Sequence, residues 1–176
     1  MEHKIGDRLK VENELCTIRY MGHIPNWPFN VAYGLEWDNC ERGKNSGTVD
    51  GKEYFKVKVP GSASFMKDSK VLKKMTKRQS FYTALSQRYC NGLDSIGTVY
   101  FGAKKVQAFG FERLNMKNQD ISQLERASLS DCSICTAGST QELTEVRAEC
   151  ANLQYLDLSY NLFSSFEEVL KLLTNL

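Results

Sequence analysis

Histidine is nearly absent from this chain. Of 176 residues only two, His3 and His23, carry an imidazole, and their spacing pairs neither with other metal ligands. Cys132 and Cys135 stand at a spacing that zinc sites use, but such a site needs a second pair of ligands, which the sequence does not offer. The same scarcity makes a Cys-His nucleophile a poor expectation, so neither an enzyme nor a cofactor is expected. No stretch approaches the roughly 20 apolar residues of a membrane span. The opening residues, Met1 to Asp7, lack the apolar core of a signal peptide, which makes the cytosol the expected compartment. In that setting the six cysteines read as reduced, mostly buried thiols. A phosphate-binding glycine loop is missing too, because Gly43-Lys44 is followed by Asn45 and lacks the upstream glycine.

A net charge of +2 conceals an asymmetry: residues 1–78 carry 15 Lys+Arg against 10 Asp+Glu, whereas residues 79–176 carry 8 against 11. A basic first half suits an acidic partner and speeds its encounter in a salt-dependent way. Nucleic acid is not the expected partner, since the cations are dispersed along alternating strands. The one tight run, from Lys73 to Arg78, reads as a solvated linker.

From Ile5 to Leu72 the pattern is one of short alternating strands: Leu9 to Val11, Cys16 to Tyr20, Tyr33 to Trp37, Glu53 to Val57, and Ser64-Phe65 with Val71-Leu72. Glycines, Pro25, Pro28 and Pro60 separate them, which predicts a small β barrel or sandwich. Residues 75–95 read as a linker with a short helix, for which Ser80 is the N-cap, Phe81 and Leu85 share a face, and Asn91-Gly92 is the stop. A hairpin is expected over Gly97–Gly102 and Val106–Phe111. After it, residues 124–132 and 153–163 fit the leucine-rich repeat pattern at an offset of 29 residues. Asn161 and Cys132 should turn inward there to satisfy backbone groups at the bend. Capping boxes are predicted at Ser139/Glu142 and Ser165/Glu168. Leu156, Leu158 and Phe163 are expected as packing residues, with Gln154, Tyr155, Asp157, Ser159 and Tyr160 exposed. Because stacked repeats stabilise one another, residues 95–176 are expected to be only marginally stable alone.

The stretch that carries a functional signal is Gly43-Lys44-Asn45-Ser46-Gly47. It is either a plain hairpin turn or a loop able to lay a cation and an amide against an anionic group, since glycine permits both positive φ and close backbone approach. Glu36-Trp37-Asp38 precede it, and Tyr54-Phe55 and Ser64-Phe65 follow. Together these resemble the CAP-Gly domain, an SH3-like barrel whose signature loop and neighbouring aromatics form a groove for tails ending Glu-Glu-Tyr or Glu-Glu-Phe. The resemblance implies that Lys44 and Asn45 hold the tail and its carboxylate, with Gly43, Ser46, Gly47 and Trp37 in the site and Phe55 and Phe65 lining its apolar part. Ser46 stands where the family usually has Asp, and Ala32 where many members carry a groove tryptophan that Trp27 or Phe29 would have to replace.

The order CAP-Gly domain, hairpin, repeats, together with Ser80 to Leu85 and Leu156 to Leu162, resembles the tubulin-specific chaperone E family. That resemblance implies a multidomain chain: a CAP-Gly domain over 5–74, a linker over 75–95, and a capping hairpin with an α/β leucine-rich-repeat solenoid segment over 96–176. It also implies a cytoplasmic, cytoskeleton-associated tubulin-folding cofactor. Such a protein binds α-tubulin through its Glu-Glu-Tyr tail and works with other tubulin-folding cofactors in αβ-heterodimer assembly and disassembly. The alternative is a microtubule-associated adaptor that holds such tails without chaperone activity.

Overall fold

The computed structural model describes residues 3–90, 100–101, 104–105 and 121–176. The chain splits into two compact units, Met1–Arg78 with Leu162–Ser164, and Gln79–Asn161 with Ser165–Leu176.

The first unit is built on a four-stranded antiparallel sheet. Strand β1 (Arg8–Val11) turns through Glu12 and Asn13, both at positive φ, into β2 (Glu14–Gly22), which pairs with β3 (Ala32–Trp37). A two-stranded ladder of β4 (Thr48–Val49) and β5 (Lys52–Glu53) follows, and β6 (Ala63–Lys67) closes the sheet in the order β1-β2-β3-β6. Side chains alternate across it. Leu9, Val11, Cys16, Ile18, Tyr33, Leu35, Trp37 and Met66 point to one face and pack with Val71 into a closed core, each large apolar member contributing about 1.5–3 kcal/mol.

Two expected strands take other forms. Residues 54–57 lie outside any ladder, and Val71-Leu72 falls in helix α1 (Asp68–Lys74). The helix has an acid in its first turn and Lys73 and Lys74 in its last, as the helix dipole favours, and it buries Val71 while exposing Leu72. The expected linker is also divided: Met75 bridges Val11, Thr76 N donates to Lys10 O, and Arg78 pairs with Asp7, so the first unit runs to Arg78.

The second unit begins with β7 (Gln79–Ser80) and α2 (Phe81–Tyr89). As expected, Ser80 caps the helix by accepting from Thr83 N, and Phe81 and Leu85 are fully buried. Of the expected hairpin, β8 (Tyr100–Phe101) pairs antiparallel with β9 (Lys104–Lys105), where a turn was expected; the remainder, like the Asn91-Gly92 stop, lies outside the described residues. Next come β10 (Arg126–Ser128), β11 (Ile134–Thr136), α3 (Thr140–Glu149), β12 (Tyr155–Asp157) and α4 (Phe166–Leu173). β10 and β12 run parallel, pairing Arg126 with Tyr155 and Ser128 with Asp157, the same 29-residue offset seen in the sequence.

Asn161 behaves as expected: its Oδ1 accepts from Cys132 N and Ile134 N at 3.1 and 3.0 Å, and its Nδ2 donates to Leu129 O and Leu158 O. The Ser139/Glu142 capping box forms. The second takes another form, for Ser165 accepts from Glu167 N while Glu168 Oε2 accepts from Thr136 Oγ1 and Ala137 N. Glu142 likewise accepts from Ser80 Oγ, and Thr136 is the register partner of Ser80. Each helix-start glutamate thus reaches back to matched positions on the preceding strands.

Candidate functional site

The loop Gly43–Gly47 is clamped to the edge of β6. Lys44 N and Asn45 N both donate to Ala63 O, at 2.6 and 3.0 Å, and Ala63 N returns a bond to Asn45 O. Asn45 Oδ1 accepts from Gly47 N at 3.0 Å, closing a turn within the loop, and Ser46 Oγ accepts from Gly61 N at 3.0 Å. The side chain of Ser46 therefore fastens the loop to the turn before β6. With the loop fixed in this way, the Lys44 side chain stands exposed beside the half-buried Asn45.

The sheet face opposite the core carries an aromatic row. Pairing sets Tyr20, Gly34 and Phe65 side by side on β2, β3 and β6. Phe55 lies over Gly34, where a Cβ would come within 2.2 Å of its Cε1. Ring centroids are 5.4 Å apart for Phe55–Phe65, 5.7 Å for Tyr54–Phe65 and 5.2 Å for Tyr20–Tyr54, all steeply inclined. Phe55 is buried, whereas Phe65, Tyr54 and Tyr20 are half-buried and keep area for a ligand. Lys52 Nζ sits 5.2 Å from the Tyr54 ring.

Of the residues expected in the site, Gly43, Lys44, Asn45, Ser46 and Gly47 lie in the clamped loop, and Phe55 and Phe65 in the row. Trp37 does not join them. It is 4% exposed, faces the core with Tyr33 and Leu35, and is covered by the Arg42 guanidinium at 4.1 Å. Tyr20 and Tyr54, both half-buried, complete the row and were not among the expected residues. Phe29 is 95% exposed, and Trp27 lies against Lys67.

Glu36 ties this face together. It is buried, accepts from Arg19 Nε at 2.6 Å and from Lys58 N, and so holds the segment that follows Tyr54-Phe55. Burial alone would raise its pKa, but the Lys58 and Val59 amides and the Arg19 guanidinium outweigh it and hold the carboxyl below its ordinary value. A depressed carboxylate contributes stability above its unfolded pKa and loses it as pH falls through the folded one. The tryptophan-monitored urea midpoint should therefore drop as pH falls below the ordinary glutamate value of 4.5, and Glu36→Gln should be less stable at neutral pH with a shallower drop. An unchanged acid slope in the variant would remove Glu36 from this role. Elsewhere, burial pushes the Cys16 thiol up to about 12 and Cys150 to about 11, so neither is a thiolate at neutral pH. Among the described residues, no group of three or more His, Cys, Asp or Glu is placed to hold a metal ion, and no helix is long and apolar enough to cross a membrane.

A β unit with this loop docked beside an aromatic row defines the CAP-Gly class, and the CAP-Gly domain family matches residues 5–71. Beyond that domain, the chain is similar to Protein PAC2 of Saccharomyces cerevisiae, 41% identical over 170 residues that cover 96% of this chain and 33% of that protein. It is also 36% and 34% identical to Tubulin-specific chaperone E of Mus musculus and Homo sapiens, in each case over 94% of this chain and 31% of the relative. The chain belongs to the tubulin-specific chaperone E family. It spans about a third of the length of the curated relatives it matches. Among solved structures, the Bik1 CAP-Gly domain with an ETF peptide from Bim1 is 25% identical, covering 41% of this chain and 89% of that one with a TM-score of 0.35.

Proposed function

We propose that the first unit binds α-tubulin through its acidic C-terminal Glu-Glu-Tyr tail. In this reading residues 124–176 are leucine-rich repeats, and the protein takes part in the cytoplasm, with other tubulin-folding cofactors, in assembly and disassembly of the αβ-tubulin heterodimer. The observation that carries the proposal is the clamped loop, which sets an exposed Lys44 and the Asn45 amide beside β6, two residues from the half-exposed Phe65. A terminal carboxylate finds donors in the loop and an aromatic side chain finds inclined rings. Capture is noncovalent, and preference for one state of tubulin would shift its equilibrium by the difference in affinity. The relatives' names, which speak of tubulin and of a chaperone, support the same reading.

The test is titration of the whole chain with a fluorescent peptide ending Glu-Glu-Tyr, beside the same peptide without its tyrosine. Lys44→Ala should weaken the first peptide about tenfold, the loss of one charge-assisted contact of roughly 1.4 kcal/mol, and removal of the tyrosine should weaken it at least as much. Equal binding of both peptides, or indifference to Lys44→Ala, would overturn tail recognition. Binding to assembled microtubules but not to soluble heterodimer would favour an adaptor instead.

A further inference from the structure

The sheet face continues past the aromatic row. Two residues along β6 from Phe65 stands Lys67, whose partner on β3 is Ala32, itself paired with Gly22 on β2. Neither Ala32 nor Gly22 offers a large side chain, so that row is lower than the aromatic one. Its wall comes from the segment between β2 and β3: Trp27 is half-buried, and Lys67 Nζ lies 5.7 Å from its ring centroid. This segment is fixed. Tyr20 Oη donates to His23 O at 2.9 Å, Trp27 N to Ile24 O at 3.0 Å, and Asn30 N to Trp27 O at 3.2 Å, while Ile24 is buried. Lys67 is thus held over an anchored indole, which uses the charge but leaves its N–H donors available.

Spacing then gives the groove a direction. Lys44 and Asn45 flank β6 at Ala63, Phe65 is two residues on, and Lys67 two more. Same-face residues on a strand repeat every 6.6–6.8 Å or so, and an extended peptide has the same repeat. A tail whose carboxylate meets Lys44 and Asn45, and whose last side chain lies on Phe65, brings its third-from-last side chain to Lys67. The one between points the other way. We propose that Lys67, seated on Trp27, is the subsite for an acidic side chain at the third residue from the C-terminus of the bound tail. This rests on the tail-binding reading above and adds which tail residue is read, and by what.

The experiment is a double-mutant cycle on the whole chain, with Lys67→Gln against peptides ending Glu-Glu-Tyr, Gln-Glu-Tyr and Glu-Gln-Tyr. In the unsubstituted protein, Gln at the third-from-last position should weaken binding about three- to fivefold, the range of a partly exposed ion pair. In Lys67→Gln that difference should vanish, while the affinity ratio of Glu-Glu-Tyr to Glu-Gln-Tyr, whose altered side chain points away from this face, should be the same in both proteins. Lys67→Glu should in turn favour a peptide ending Lys-Glu-Tyr over Glu-Glu-Tyr. If Lys67→Gln weakens all three peptides by one common factor, or leaves Glu-Glu-Tyr unchanged while Lys44→Ala still weakens it, the subsite is wrong and tail binding stands. If no peptide binds the unsubstituted chain, the tail reading falls and the subsite with it.

Discussion

Gly47→Ala should cost the first unit about 3 kcal/mol or more, placing it in the small class of substitutions with effects that large. Two penalties combine. Gly47 sits at φ +86°, where an L side chain is strained by roughly 1–2 kcal/mol. A Cβ there would also stand 2.1 Å from the Phe55 carbonyl oxygen, a backbone atom that cannot swing aside. Relief would break the bond from Tyr54 N to Gly47 O or the one from Gly47 N to Asn45 Oδ1, and either opens the loop that presents Lys44. Gly43→Ala separates the two penalties. At Gly43 φ is −65°, open to any residue, yet a Cβ would meet Gly61 O at 1.8 Å. Both tryptophans, Trp27 and Trp37, lie in this unit, so fluorescence-monitored urea unfolding of the whole chain reports on it specifically. Unfolding free energies within about 1 kcal/mol of the parent would mean that the loop relaxes cheaply and that these glycines are there for a ligand instead.

That result bears on how the loop could be read from sequence. Glycine was legible as permitting positive φ or close approach of another backbone, and both occur, but the approaching backbone is the chain's own: Gly61, Ser62 and Phe55. Phe55 and Phe65 were legible only through the resemblance to the CAP-Gly domain, and the structure sets both in the aromatic row. Trp37 was misplaced through its nearness to the loop in sequence, although two-residue alternation from Tyr33 and Leu35 puts it in the core. Tyr20 was hidden for a subtler reason. Simple alternation from Cys16 and Ile18 sends it inward, but the register of β2 on β3 shifts between Ile18 and Tyr20. That irregularity turns Tyr20 out and Met21 in, and no residue in Ile18-Arg19-Tyr20 announces it. In the second unit the 29-residue offset, Asn161 and the first capping box were legible because each is a local pattern. The reach of Glu168 to Thr136 was not, since it depends on how far the strands stack.

The end of the first unit was hidden for the same reason, and it yields the other large effect. The run from Lys73 to Arg78 looks like a solvated linker, yet Arg78 is drawn in: its guanidinium meets Asp7 Oδ2 at 2.8 Å, with the two side chains only 9% and 7% exposed. Asp7 also accepts from Lys4 N, and its carbonyl accepts from Ile18 N, so the pair ties the start and finish of the unit to β2. Arg78→Ala should cost about 3–5 kcal/mol, because it strands a buried carboxylate. A charge-free double replacement, Asp7→Asn with Arg78→Met, should recover much of that loss, since paired desolvation offsets most of what a buried ion pair contributes. Lys77→Ala, one residue earlier and exposed, should change the unfolding free energy by less than about 0.5 kcal/mol. Were Arg78→Ala to behave like Lys77→Ala, the run would be a solvated linker after all, and the first unit would end near Lys74. A large loss for Arg78→Ala with recovery in the double variant makes Arg78 part of the domain's interior electrostatics, which composition alone could not distinguish from five neighbouring residues of the same basic stretch.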